Sequence, residues 1–202
     1  MNRARAMAFA ALLATLAPFA SFAFTACSKA QDAGTASTCV AGDAAATPID
    51  TDVMAFLSAA RARHHEANLK EDAGDLPGAL DAIQKLVAMK TPHPGAIVVE
   101  VEEVLADAHA RLAELRLKTK DIDGAARDAT KGLAHAAGPT YFRGHLLEVL
   151  GIAEEERAKE LDLAGKADDA KQARARAIQL FHEVVGIQSQ VIERSLGDGG
   201  SQ

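Results

Sequence analysis

The chain has 202 residues and a formal net charge of −6, from 22 Lys and Arg against 28 Asp and Glu. An acidic chain without a basic cluster is unsuited to binding nucleic acid, which requires Lys and Arg that face phosphates. The chain has no Trp and one Tyr, so its core must be packed mainly from Ala, Leu, Val and Ile. Strand signals are nearly absent, and we therefore predict an all-α fold.

Residues 1–26 have the organisation of an export signal. Arg3 and Arg5 precede an uncharged stretch, residues 6–26, that ends in small residues. A transmembrane anchor is the alternative interpretation. Pro18 and the lack of a basic flank just after the stretch argue against it.

The segment Phe24-Thr25-Ala26-Cys27 resembles the lipobox of bacterial lipoproteins, although Phe24 stands where an aliphatic residue is usual. The resemblance implies that Cys27 becomes the lipidated first residue of the mature chain, because a thiolate is the nucleophile that takes the lipid. Ser28 in the next position implies the outer membrane, facing the periplasm. The alternative is cleavage after Ala23, which would leave Cys27 and Cys39 free to pair in an oxidising compartment.

Residues 27–50 are mostly Ala, Gly, Ser, Thr and Asp. So few large apolar side chains cannot offset the entropy of ordering the chain. We predict a flexible tether that holds a domain away from a membrane, or a disordered N-terminus with no role.

Residues 51–196 predict six helices in three hairpins, because apolar residues recur at helical spacing between Gly and Pro breaks. Helix four is predicted to be weak, since Gly124 and Gly132 lie inside it. Residues 197–202 are predicted to be a disordered tail. The predicted helix ranges are 51–73, 76–90, 96–118, 122–136, 140–163 and 167–196.

The three hairpins repeat. Turn signals at Gly74, Lys120 and Gly165 lie 46 and 45 residues apart. Two columns of alanine keep the same distance from these turns, one in each helix of the hairpin. Self-similarity at this period is typical of a helical solenoid. The columns are Ala67, Ala113 and Ala158 in the first helices and Ala79, Ala125 and Ala170 in the second.

At these residues the chain resembles the tetratricopeptide repeat family. Residues 61–89 match best, with Ala67, then Gly74-Asp75-Leu76 at the turn, and Ala79 and Ile83 in the second helix. The family's unit has 34 residues, and the extra residues here would lengthen the first helix. The resemblance implies a short solenoid of three stacked hairpins; a plain up-and-down helical bundle is the alternative.

In that family partners bind the face formed by the first helices. The resemblance therefore implies partner-binding residues at Arg61, His64, Asn68, Glu114, Glu155 and Lys159. The Lys and Arg that would complete a clamp for a C-terminal carboxylate are not in place, so recognition of a C-terminal peptide is not predicted.

No catalytic constellation, cofactor motif or metal site is predicted. His64 and His65 are adjacent, so they point about 100° apart on a helix, whereas helical zinc ligands stand one turn apart. Phosphate-binding glycine loops and nucleophile elbows are not evident. The leading hypothesis is a non-catalytic, lipid-anchored envelope protein that acts as an adaptor for an unidentified envelope protein or peptide. The second is a periplasmic helical bundle that binds a small ligand or a metal.

Overall fold

The computed structural model describes residues 50–198, and these residues form an all-α structure of six helices without strands. The predicted signal, Cys27 and nearly all of the predicted tether lie outside the described residues, as do residues 199–202. The prediction of an all-α fold is confirmed.

The helices begin and end close to the predicted positions. They are α1 (Thr51–Asp72), α2 (Leu76–Val87), α3 (Val99–Lys118), α4 (Ile122–Gly132), α5 (Tyr141–Leu163) and α6 (Ala167–Asp198). Three differences stand out: α2 ends three residues early, α3 begins three residues late and α4 ends four residues early. Gly197 and Asp198, assigned to the tail from sequence, are the last residues of α6.

The joint inside each hairpin has the same backbone conformation. Gly74, Lys120 and Gly165 have φ of 78°, 64° and 73°, the left-handed region in which a residue ends a helix. Asp75 and Asp121 follow the first two, and each side chain caps the next helix by accepting an N–H bond of 2.9 Å, from Gly78 and Gly124 respectively. The turn signals found in the sequence are therefore structurally equivalent.

Both alanine columns lie at helix contacts. Ala67, Ala113 and Ala158 are buried in the first helices, and Ala79, Ala125 and Ala170 are buried in the second helices. A methyl group at these positions lets the two helices of a hairpin approach closely. The repeat seen in the sequence is thus a repeat of packing.

The hairpins stack in chain order. α2 and α1 pack on α3, α4 and α3 pack on α5, and α5 packs most extensively on α6. Within residues 50–198 the first and third hairpins have no backbone contact. One core cluster joins α1, α2 and α3, around Ile83, Leu86 and Leu115; another joins α3, α4 and α5, around Leu146 and Val149.

Several large apolar residues within the predicted helix ranges are exposed. Ile97 is 85% exposed because α3 begins only at Val99, after His93 and Gly95 turn the chain with φ of 50° and 89°. The others point away from the neighbouring helix. They are Met54, Leu69 and Tyr141, and, on α6, Ile178, Val185 and Ile192.

Candidate partner-binding groove

A groove of about 530 Å³ runs between α1 and α3 and is closed at one side by α5. Its lining on α1 recurs at helical spacing from Leu57 to Asn68, and its lining on α3 recurs from Glu100 to Asp107. One helix face from each of the first two hairpins therefore builds it. Phe142, in the first turn of α5, is contributed by the third hairpin.

The floor of the groove is apolar. Leu57, Val104 and Phe142 are half-buried, and Ala60 is buried. Val104 also packs against two core clusters, so the floor is continuous with the interior of the domain. An apolar side chain of a bound partner would remove the exposed area of this floor from water. The binding free energy would become more favourable by about 25 cal/mol for each Å² of apolar surface buried.

The two walls carry opposite charge. On the α3 side stand Glu100, Glu103 and Asp107, three carboxylates on one helix face, whereas the charged residue on the α1 side is Arg61. Within residues 50–198, the side chains of Glu100 and Glu103 make no hydrogen bond or ion pair, whereas Asp107 lies near His64. The groove therefore has an excess of negative charge, concentrated on α3.

His64 is a polar group of the groove that is neutral at neutral pH. Its Nε2 lies 3.6 Å from Oδ2 of Asp107, beyond hydrogen-bond length. Burial lowers the pKa of His64, and this outweighs the charge of Asp107, which acts to raise it. The neutral imidazole can thus donate a hydrogen bond to an occupant of the groove or accept one from it, without contributing charge.

A polar network leads from the groove along the first helices. Arg111 of α3 donates to Asn68 Oδ1 on α1 at 3.2 Å and also bonds Glu71. It donates to Glu114 at 3.2 Å, and Glu114 lies 3.0 Å from Nε2 of His145 on α5. These bonds tie α1 to α3 and α3 to α5 beside the groove.

The two side chains that join α3 to α5, Glu114 and His145, have shifted pKa values. The hydrogen bond to Glu114 raises the pKa of His145, against the opposing effect of its burial. Burial of Glu114 acts to raise the pKa of that carboxyl, but the bonds from His145 and Arg111 outweigh it and lower the pKa. Both shifts favour the charged pair, so the contact is strongest with His145 protonated.

A second histidine pair lies outside the groove, between α3 and the end of α4. The rings of His109 and His135 stack at 5.7 Å between centroids, and His135 Nδ1 lies 2.7 Å from Glu102 Oε2. Burial, followed by the charge of His135, lowers the pKa of His109. His109 therefore belongs to the hairpin core as a neutral side chain.

The structure brings together three of the six residues predicted for partner binding. Arg61, His64 and Asn68 line the groove. Glu114 is half-buried and joins the groove only through Arg111. Glu155 and Lys159 lie farther along α5, where they pair with each other at 2.8 Å and do not line the groove.

The acidic wall and Phe142 are the parts of the groove that the sequence analysis missed. Glu100, Glu103 and Asp107 stand at positions i, i+3 and i+7 of α3, a spacing that places them on one face. That spacing was visible in the sequence. What it could not show was that this face turns toward α1.

Residues 50–198 contain no cluster of three or more His, Cys, Asp and Glu side chains placed to hold a metal ion. In the same range no helix has the length and apolar character needed to span a bilayer. Comparisons of the chain with protein families, curated proteins and solved structures found no match.

Proposed function

We propose that this chain is a non-catalytic adaptor that holds a segment of another envelope protein in the groove between α1 and α3. The observation that carries the proposal is the combination of an apolar floor with an acidic wall, where the carboxylates of Glu100 and Glu103 have no side-chain partner within residues 50–198. The segment that fits has an apolar side chain for the floor and a Lys or Arg that faces α3.

The rest of the proposal concerns location. The resemblance of residues 24–27 to a lipobox supports export and a lipid on Cys27, with the tether holding the helical domain near the outer membrane on its periplasmic side. Confinement to a membrane surface raises the effective concentration of partners there, so a modest affinity suffices.

Site-specific crosslinking in cells tests the binding surface. A photoreactive amino acid replaces His65, which is exposed at the rim of the groove, or Gln84, which is exposed on α2 away from it. We expect one envelope protein to crosslink from position 65 and not from position 84. Recovery of the same proteins from both positions, or from the tether alone, would refute the groove as the binding surface.

Charge reversal tests the chemistry of the occupant. Glu103→Lys should reduce the crosslinking yield, whereas Glu148→Lys, an equal charge change at an exposed position of α5 outside the groove, should not. Raising the salt concentration should weaken capture by the unchanged chain, because exposed charges are screened. Equal yields from both variants would exclude a basic occupant.

The anchor is tested separately. Mass spectrometry of the mature N-terminus should find a lipid on Cys27, and Cys27→Ala should release the protein from the membrane fraction. A mature chain that begins at a free Phe24 would refute the lipid anchor and leave the groove proposal standing.

The size of the groove supports a second candidate, the binding of a small ligand. Its volume of about 530 Å³ falls within the range of small-molecule pockets, roughly 300–1,000 Å³. Native mass spectrometry of protein purified from cells would separate the two candidates. A bound small molecule, displaced in Val104→Met by filling of the floor, would favour the ligand over the adaptor.

A further inference from the structure

A second pocket adjoins the groove. It has a volume of about 360 Å³ and lies between the start of α3, the residues that follow α4 and the first turn of α5. Two of its apolar residues are open to solvent, since Ile97 is 85% exposed and Val99 is 61% exposed. We call this cavity the second pocket; its lining includes Ile97, Val99, Glu102, Glu103, His135 and Phe142.

The groove and the second pocket are contiguous. Glu103 of α3 and Phe142 of α5 line both of them. At about 100° per residue, Glu103 lies about 40° around α3 from Val99 in the second pocket and about 60° the other way from Glu100 in the groove. The two cavities therefore occupy neighbouring faces of α3 that meet at Glu103.

The start of α5 fixes the other side of this shared edge. Thr140 caps the helix by accepting a 3.1 Å bond from the backbone N–H of Arg143. Phe142 packs against the core cluster that joins α3, α4 and α5, and its ring meets that of Tyr141 edge-on, with 5.5 Å between centroids. Phe142 therefore presents a fixed apolar surface to both cavities.

The charges favour a basic side chain at the shared edge. Four carboxylates line the two cavities, and Arg61 is the one Lys or Arg among the lining residues. Glu102 already has a partner, because its Oε2 lies 2.7 Å from Nδ1 of His135. The carboxylate of Glu103 has no side-chain partner within residues 50–198, so it can pair with a Lys or Arg of a bound segment.

We propose that one extended segment of the partner occupies both cavities, with a Lys or Arg over Glu103 and an apolar side chain on either side of it. This inference rests on the proposed function and adds the second pocket to the binding surface. An extended chain can bend over the edge of α3, whereas a straight helix cannot enter two faces of one helix. At about 3.3 Å per residue, nine residues reach about 30 Å, which is enough for two adjoining cavities.

Selection from a peptide library tests the sequence preference. Peptides of nine random residues, displayed on phage, are selected on the purified full chain. We expect the enriched peptides to carry a Lys or Arg between two apolar residues. Glu103→Gln should remove the preference for the basic residue and keep both apolar positions. Glu148→Gln, at an exposed position of α5 outside both cavities, should keep all three preferences.

A matched pair of valine substitutions tests the second pocket. Val99→Asn makes its wall polar without adding charge, and Val185→Asn makes the same change on α6, where the valine is 65% exposed and lines neither cavity. For an enriched peptide measured by fluorescence anisotropy, Val99→Asn should raise Kd about tenfold, because the contact with an apolar side chain is lost. Val185→Asn should leave Kd unchanged, and both variants should keep the helicity of the unchanged chain.

Crosslinking in cells separates this inference from the proposed function. A photoreactive amino acid in place of Ala137, which is exposed and lines the second pocket, should capture the same envelope protein as one in place of His65 in the groove. Capture from position 65 alone would overturn the segment that spans both cavities and leave the proposed function standing. Capture from neither position would overturn both.

Other results would also overturn the inference. Enriched peptides with a single apolar residue, or an equal Kd for Val99→Asn and the unchanged chain, would remove the second pocket from the binding surface. Capture of a second copy of this chain from position 137, or of residues 27–49 of the same chain, would assign the second pocket to that occupant instead.

Discussion

Lys120 occupies the one hairpin joint where a non-glycine residue has a left-handed backbone within the described helices. Its φ is 64°, against 78° and 73° for Gly74 and Gly165 at the equivalent joints. An L-residue in this conformation costs roughly 1–2 kcal/mol. Glycine avoids that cost but loses about 0.4–1 kcal/mol through the greater freedom of the unfolded chain.

We therefore expect Lys120→Gly to be more stable than Lys120→Ala by about 1 kcal/mol, the difference between these two effects. Both variants lose the exposed bond between Lys120 Nζ and Glu156 Oε2 at 3.0 Å, so its contribution cancels in the comparison. For a domain of this size the difference corresponds to roughly 2–4 °C in Tm.

The assay is urea unfolding followed by circular dichroism at 222 nm. Gly74→Ala supplies the reverse test at the first joint, where an added Cβ meets nothing within 4 Å, so only the backbone conformation is perturbed. It should destabilise by about 1 kcal/mol. Equal stability of Lys120→Gly and Lys120→Ala would refute the backbone argument and the equivalence of the joints.

Three further predictions concern packing, capping and pH. Asp75→Ala should lower the free energy of unfolding by about 1 kcal/mol, because the variant loses a helix cap. In the same urea titration Asp121→Ala should lower it more, because Asp121 also accepts a 2.6 Å bond from an arginine of α3. Gly132→Ala should lower Tm, because the added Cβ would lie 2.5 Å from a methyl carbon of Leu146. Gly186→Ala is the control: its Cβ would meet nothing within 4 Å, so Tm in dilute solution should stay the same or rise. The lowered pKa of His109 means that the unfolded chain binds its proton more tightly, so His109 lowers the free energy of unfolding as pH drops below 6.5, against the opposite contribution of His145, whose pKa is raised. The free energy of unfolding of His109→Leu, relative to that of the unchanged chain, should therefore rise as pH drops, and a difference that stays constant with pH would contradict this.

The helix joints could be predicted because they depend on local chemistry. Gly or an equivalent residue ends one helix, Asp caps the next, and the repeat distance shows that the same joint recurs. Helix ends without such signals were less well predicted. The apolar run at Ile97 was assigned to α3, but Gly95 and the extended backbone of Val98 delay the start of the helix.

The groove could be predicted only in part. The sequence analysis selected Arg61, His64 and Asn68 because partners bind the first helices in the family that the chain resembles. These three residues line the groove. Glu155 and Lys159 were selected by the same rule, yet they pair with each other farther along α5. The bond between Asn68 and Arg111 joins two neighbouring hairpins, and the repeat distance shows that the hairpins are equivalent but not which of their side chains meet.

The sequence by itself determined an all-α chain, the three equivalent joints and the alanine columns at which the helices of each hairpin meet. Those features follow from backbone preference, capping and helical period, which act over a few residues. Only the tertiary structure decided which faces were left open. The α3 carboxylates line a groove because α1 packs opposite them, and Ile178, Val185 and Ile192 of α6 are exposed because no described helix packs on their face. Burial depends on what lies across from a helix face, and the apolar pattern of Ile178, Val185 and Ile192 is the same whether that face is covered or not.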